Sequence, residues 1–377
     1  MKQIKDLKVY ISSSKGDSLD ITKLVTNIKV KESILSDLSG QVEMEDSKGV
    51  LDNAIGTSKT ITVSFKYLEN TYLNRFYLDG ASFVDLSAST KNKTYAINLQ
   101  SVHNAVNAMT LVKRSYKGLS TDIIVKIYDE FFGKGNITVG GDSLTQGKYI
   151  VPNISPKMAI NVIKKNAYDE KKSPFVLFQR FNGGGKSLLA SVNWLAENQF
   201  IEGYTIKPTL PSGEMNDKPL SDIGVSQTLN IQSDHAGYLQ KISAGVFGKT
   251  INEVDLNNSS IKVEDFGMNK DSFAMTVPFL SDKYSEGQTA LLNEGLDKDT
   301  QKSISFFQSL NGIVIKSTKT VAVPGLSCGH VIGVEISTNT AKNTGKSVKF
   351  TGAYLVTEMT HHIKDNVYTQ DITLMKR

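Results

Sequence analysis

Cysteine is almost missing from this sequence: Cys328 is the single one in 377 residues. An internal disulfide and a cysteine-based zinc site are therefore both excluded. Arginine is nearly as scarce, found only at Arg75, Arg114, Arg180 and Arg377. The forked guanidinium is the group that reads base edges and clamps phosphates, so specific nucleic-acid recognition is disfavoured. Long apolar runs are lacking too, and none approaches the roughly 18 residues that a membrane-spanning helix needs. The opening MKQIKDLKVYISSSKGD breaks its apolar residues with charges and makes no ordinary secretory signal, so synthesis and assembly in a cytoplasm are expected. The single tryptophan, Trp194, and the run FVLFQRF read as core rather than as a sugar platform or cofactor box.

What is present describes a folded soluble chain, with hydrophobic residues at 39% and charged residues at 21%. The net charge of +5 is basic but thinly spread. The length exceeds the roughly 100–200 residues of one domain, which predicts two to four domains.

Ile61, Val63, Phe65 and Tyr67 alternate with Thr60, Thr62, Ser64 and Lys66, the pattern of a strand buried on one face. Phe83, Tyr95, Ile97 and Leu99 continue it, and the punctuation by Gly, Asn, Asp and Ser predicts a first antiparallel β-barrel domain over 1–106. The period then changes. Ile123, Ile124, Ile127, Tyr128 and Phe131 fall at helical spacing, with Thr121 as the cap and Gly133 as the stop. A second helix opens at Ser155-Pro156 and directs Met158, Val162 and Ile163 inward. PFVLFQRFNGGGKSLLASVNWL then reads as two strands around a glycine turn, giving an α/β insert over 107–203. Prolines and glycine from Tyr204 to about Asp222 read as a connecting loop, and β character returns at Val225. One helix is expected between Gln288 and Gln308, so 204–310 is a connecting β-rich region. Residues 311–377 read as a second β-barrel domain, completed by strands from 225–280.

No motif supplies a catalytic constellation. NGGGKS at 182–187 lacks the first glycine of a phosphate-binding loop, Arg180 standing in its place, and it lies between strands rather than opening a helix. Asp129-Glu130 and Asp169-Glu170 sit at helix ends among lysines, where solvated charge is the usual state. His103, His235 and His330 stand apart from any nucleophile motif. His361 and His362, with Glu358 and Asp365 nearby, lie in a strand ending at a Lys364-Asp365-Asn366 turn. Neighbours in a strand point to opposite faces, so the pair cannot hold one metal ion. No catalytic, cofactor-binding or metal residue is assigned, and His361→Ala is expected to be tolerated. A charge at whichever of Leu355 and Ile372 points inward is expected to prevent folding.

One internal echo organises the chain. GASFVDLSASTKNKTYAINL at 80–99 and GAYLVTEMTHHIKDNVYTQDITL at 352–374 share Gly-Ala, an apolar strand, a Lys/Asn turn and a Tyr-led alternation ending in Leu. The second stretch, through Gly352, Tyr354, Leu355, Val356, Thr357 and His361, resembles the closing motif of phage late-control D proteins and of the hub part of the type VI secretion spike protein. VAVPGLSCGHVIGVEI, SPKMAINVIKKNAYDEKKSPFVLFQRFNGGGKSLLASVNWL and DLSGQVEMEDSKGVLDNAIGTSKTITVSFKY resemble further parts of that family.

The resemblance implies a non-enzymatic baseplate hub of a contractile tail: two tube-type barrels per chain with an inserted α/β domain, three copies forming a pseudo-sixfold ring between the sixfold tail tube and the threefold central spike. It implies as partners the chain itself, the tail tube protein, the central spike protein, baseplate wedge proteins and the tape measure protein, in a virion or a related contractile particle. No cofactor and no membrane span are expected. The alternatives are a tail-associated peptidoglycan hydrolase, which needs paired carboxylates or a metal cluster, and a carbohydrate-binding β-protein, which needs exposed aromatics.

Overall fold

The computed structural model describes residues 3–13, 16–51, 58–85, 93–171, 173–208, 225–226, 228–233, 248–255, 260–267, 275–280, 313–335, 337–340, 343–346 and 351–376. Most of them are in β-strands. The first unit holds β1 (Lys5–Ser13), β2 (Ser18–Asp20), β3 (Val25–Ser33), β4 (Ser36–Asp46), β5 (Ser58–Tyr67), β6 (Asn70–Asp85) and β7 (Lys93–Ser101). Its alternation is as the sequence predicts, with Ile61, Val63, Phe65 and Tyr67 all buried on one face of β5.

The α/β segment follows with helix α1 (Val102–Met109), β8 (Val112–Leu119), α2 (Ser120–Phe132), β9 (Ile137–Gly140), β10 (Gln146–Ile154), α3 (Pro156–Lys165), β11 (Phe175–Gln179), β12 (Ser187–Ser191) and α4 (Val192–Asn198). Gly133 ends α2 with φ of 100°, a conformation that favours glycine. Thr121 is not the cap of α2: the helix begins at Ser120, and Ser143 Oγ meets the Thr121 N–H at 3.3 Å. Met158 is not inward either. It is 56% exposed, and α3 buries Ala159, Ile160 and Ile163 instead. SVNWL turns into α4 rather than continuing a strand, because Ser191 Oγ accepts from the Trp194 N–H at 3.0 Å and caps a helix there.

The remaining strands are β13 (Phe200–Pro208), β14 (Val225–Ser226), β15 (Thr228–Ser233), β16 (Gly248–Asp255), β17 (Ser260–Gly267), β18 (Met275–Leu280), β19 (Ile313–Val321), β20 (Val331–Val334), β21 (Ser337–Thr340), β22 (Asn343–Lys346), β23 (Gly352–Lys364) and β24 (Val367–Lys376). Tyr204 to Pro208, read as loop, belongs to β13, which pairs in parallel with β20. The helix expected between Gln288 and Gln308, and His235, lie outside the described residues.

Among the described residues the largest sheet follows the path β14-β13-β20-β23-β3-β4-β7-β6-β5-β1-β2, with β24 joining β23 to β19 and β19 pairing with β15, while β8 with β10, β9 with β11 and β12, β16 with β17 and β18, and β21 with β22 form smaller sheets. The link between the first unit and the C-terminal strands is the β23–β3 ladder, in which His361 stands opposite Val30. Its hairpin partner β24 returns through Asp365 and Asn366, both at positive φ (51° and 59°), the geometry of a tight two-residue turn.

Three apolar cores result. The first lies between β1 and β3 to β7, and its centre is aromatic: Phe65 stacks on Tyr72 at 4.7 Å, with Phe181 and Tyr368 against them. Phe181 comes from the turn after β11 and Tyr368 from β24. The second core gathers β11, β12 and α4 against β20, β23 and β24, and includes Cys328, Leu355 and Ile372. The third belongs to the α/β segment, with Ile123, Ile127, Tyr128, Ile160 and Ile163 at its centre. The β23–β24 hairpin thus gives Tyr354 and Leu374 to the second core and Ile363 and Tyr368 to the first.

Candidate functional site

Ile28, Val30 and Glu32 share the inward parity of β3, so a carboxylate occupies a place that the pattern reserves for an apolar side chain. Glu32 is fully buried. Its Oε1 accepts from the Cys328 N–H at 2.7 Å, and its Oε2 accepts from the Phe181 N–H at 3.3 Å and lies 3.0 Å from His361 Nε2. The other ring nitrogen of His361 lies 2.6 Å from the Tyr368 hydroxyl, which also accepts from Gln370 Nε2 at 3.0 Å. Gln370 Oε1 closes the chain by accepting from the Val323 N–H at 3.0 Å. Burial holds the Tyr368 hydroxyl well above its ordinary pKa.

Arg180 continues the junction, with Nε donating to the Cys328 carbonyl and Nη1 to Gln199 Oε1, each at 3.0 Å. Burial lowers its guanidinium, and the facing Glu32 opposes that shift. Gly329 passes so close that an added Cβ would meet Phe178 Cζ at 2.6 Å, and its φ of 81° also requires glycine. One carboxylate therefore ties together β3, the turn after β11, the 322–330 loop and the last hairpin. Sealed from solvent, this junction braces the fold. It offers no reagent to a substrate.

The histidine pair divides between faces, as expected. His361 is fully buried, whereas His362 lies on the other face, 2.9 Å from Asp371 Oδ2. The expected tolerance of His361→Ala does not fit this geometry: the ring bridges Glu32 Oε2, which also accepts from the Phe181 N–H, and the Tyr368 hydroxyl, which also accepts from Gln370 Nε2, so its loss removes a buried contact from each and is expected to cost stability. The NGGGKS segment is a turn between β11 and β12, with Gly184 and Gly185 at positive φ. The acidic pairs serve local roles: Glu130 meets Arg114 at 2.8 Å, Asp129 accepts from the Gly135 N–H, and Asp169 Oδ2 accepts from Ser191 Oγ at 2.6 Å. Among the described residues no cluster of His, Cys, Asp and Glu is placed to hold a metal ion. Cys328 is buried, and burial raises its thiol pKa well above the ordinary range.

A second polar cluster centres on His103. Its Nδ1 lies 2.7 Å from both the Tyr128 hydroxyl and Gln179 Nε2, and Tyr128 reaches Ser187 Oγ at 2.5 Å. A cavity of about 140 Å³ opens beside it, between the first unit and the α/β segment.

With this geometry in place, comparison with solved structures is informative. Over 98% of its length the chain is similar to a tail protein from Neisseria meningitidis MC58, covering 96% of that chain with a TM-score of 0.58 at 7% identity. It is likewise similar to the 43 kDa tail protein of prophage MuSo2 from Shewanella oneidensis, with 98% of each chain covered, a TM-score of 0.58 and 9% identity. This is a fold of phage tail proteins. The E. coli c3393 protein, a component of the type VI secretion system, shares it over 94% of this chain and 73% of its own, with a TM-score of 0.51 at 11% identity. No protein-family model matches the sequence, and no curated protein does.

The tail-protein fold leaves two kinds of surface free. The path of paired strands ends at β2, whose three residues are exposed, and at β14. Among the described residues these two strands have no second neighbour, and an edge of that kind is a docking position for another chain. Exposed apolar side chains also stand at Leu35 (63%) in the β3–β4 turn of the first unit, and at Met109 (73%), Leu111 (60%) and Met158 (56%) in the α/β segment. Lys157 of α3 contacts Asp37 and Asn104, and its N–H donates to Asn107 Oδ1 at 2.8 Å.

Acid should loosen this fold. Burial lowers His103 to about 4, and burial together with Arg180 lowers His330 to about 3. Both are neutral when folded and take up protons more readily when unfolded, so their contribution is complete above about pH 6.5. It drains away as the pH falls toward 4. At about 1.4 kcal/mol per unit, His103 alone accounts for roughly 3 kcal/mol. Urea midpoints measured from pH 7.5 to pH 4 test this, and His103→Gln is expected to flatten the decline.

Proposed function

We propose that this chain is a structural hub of a contractile tail: three copies close into a ring that presents near-sixfold symmetry to a tail tube and threefold symmetry to a central spike. The observation that carries the reading is the near end-to-end likeness in fold to two phage tail proteins. Two β-rich cores in one chain, each served by a Gly-Ala-led hairpin, support the idea that each is one of two related barrel closures. On this reading the domain limits are 1–106, 107–203, 204–310 and 311–377, with the last hairpin serving both barrels. The open edges at β2 and β14 meet neighbouring copies, and the exposed apolar side chains of the α/β segment face baseplate wedge proteins outside the ring. The spike and the tube, with the tape measure protein inside it, complete the partner set.

The sealed polar junction favours this structural role over a peptidoglycan hydrolase, whose carboxylates have to reach a cleft. The deciding measurement is the solution mass, alone and mixed with the tube protein. Three times the 41.3 kDa chain mass is expected, at least on mixing. A monomer under both conditions, or clearing of cell walls in a zymogram, would overturn the reading.

A further inference from the structure

The cavity beside His103 has the chemistry of an anion site. Its wall includes Ser101, Val102 and His103, the first residues of α1, where the helix dipole is positive. Arg75 supplies the single cation of the lining, which holds no carboxylate. Its guanidinium is only lightly engaged, with Nη2 donating to Thr60 Oγ1 at 3.2 Å.

The protonated nitrogen of His103 follows from its neighbours. Gln179 Nε2 donates to the Gly185 carbonyl at 2.7 Å, which fixes the amide, and its second N–H then points to His103 Nδ1. Nδ1 is therefore an acceptor, and in the neutral ring the proton sits on Nε2. His103 is 8% exposed, and Nε2–H has no partner among the described residues. Since the Nδ1 edge is occupied by Tyr128 and Gln179, the Nε2 edge is the one left to the cavity. Gln179 Oε1 is enclosed and does not open onto that space.

We propose that this cavity binds a monocarboxylate carrying a short apolar stem. The carboxylate accepts from His103 Nε2–H and the Ser101 hydroxyl and faces Arg75. The stem lies on Leu38, Phe76 and Val102. At about 140 Å³ the space approaches that of cavities known to admit a benzene-sized molecule. The carboxylate can come from a free short-chain acid or from the C-terminus of a partner polypeptide.

With only 5 histidines in the chain, nitrogen spectra of histidine-labelled protein can follow His103 directly. Sodium butyrate is expected to shift its Nε2 resonance saturably, at least about tenfold more tightly than butyramide, the uncharged analogue. Arg75→Gln, at an exposed position, is expected to weaken butyrate about tenfold while leaving the melting temperature unchanged. Tighter binding of N-acetyl-leucine than of butyrate would assign the site to a polypeptide C-terminus, and the reverse to a free acid; both support it. Equal binding of butyramide, an unaffected Arg75→Gln protein, tighter binding of inorganic phosphate, or no saturable shift would overturn the proposal.

Discussion

Glu32→Ala is expected to lower the free energy of unfolding by about 3–5 kcal/mol, the usual loss when one member of a buried, hydrogen-bonded charged cluster is removed. The truncation strands the Cys328 and Phe181 amides and His361 Nε2 in an interior that water does not reach. It also leaves Arg180 buried without the carboxylate that faces it. Urea midpoints at unchanged m-value measure the loss. Glu32→Gln, which keeps one acceptor oxygen, is expected to lose less. Combining Glu32→Ala with His361→Ala should cost less than the two separate losses added together, because the second change removes a group that the first had already stranded. A wild-type midpoint for Glu32→Ala would mean that the junction is not what holds β3, the two loops and the last hairpin in register.

Ile372→Asp is expected to abolish folding altogether. Ile372 of β24 is 1% exposed and stands opposite Met359 of β23, in the second core. A carboxylate there has no donor within the apolar cluster, and burying an unpaired charge costs several kcal/mol or forces the group to stay protonated. Against a total stability of about 5–15 kcal/mol, that is enough to leave no native state. Leu355, also buried in this core, is expected to behave alike. The comparison is His362→Ala on the outer face, which should express solubly and keep its circular dichroism. Soluble, cooperatively unfolding Ile372→Asp protein would show that this core is not closed around the hairpin.

Much of this fold was legible because period reports burial. The inward run of β5, the helical spacing of α2, the glycine turn after β11 and the two faces of the β23–β24 hairpin all follow from side-chain direction alone. Caps were less legible. Thr121 has the right chemistry for a helix start, yet Ser143, far along the chain, takes its amide, so a tertiary contact overrides local preference. Met158 lies off the stripe that α3 buries, which runs through Pro156, Ala159, Ile160 and Ile163.

The junction left a visible trace that period could not interpret. A glutamate in the inward parity of Ile28 and Val30 is an anomaly that sequence displays. Its partners, at Phe181, Cys328 and His361, could not be guessed from spacing. Period likewise says which face of a strand is buried, not which strand lies beside it. The pairing of β23 with β3 was therefore invisible, and with it the contact of His361 with Glu32.

Glu32 and His361 are 329 positions apart, and that separation has a consequence for biosynthesis. Ribosomes deliver roughly 5–20 residues per second, so the N-terminal β-unit waits for tens of seconds before Tyr368 and Ile363 arrive to plug it. Contacts of such high order slow folding and prolong exposure of unsealed surface. A nascent chain halted before the final hairpin is predicted to remain protease-sensitive throughout, including in its earliest strands. Closure of the first core is thereby reserved for polypeptides translated through Tyr368.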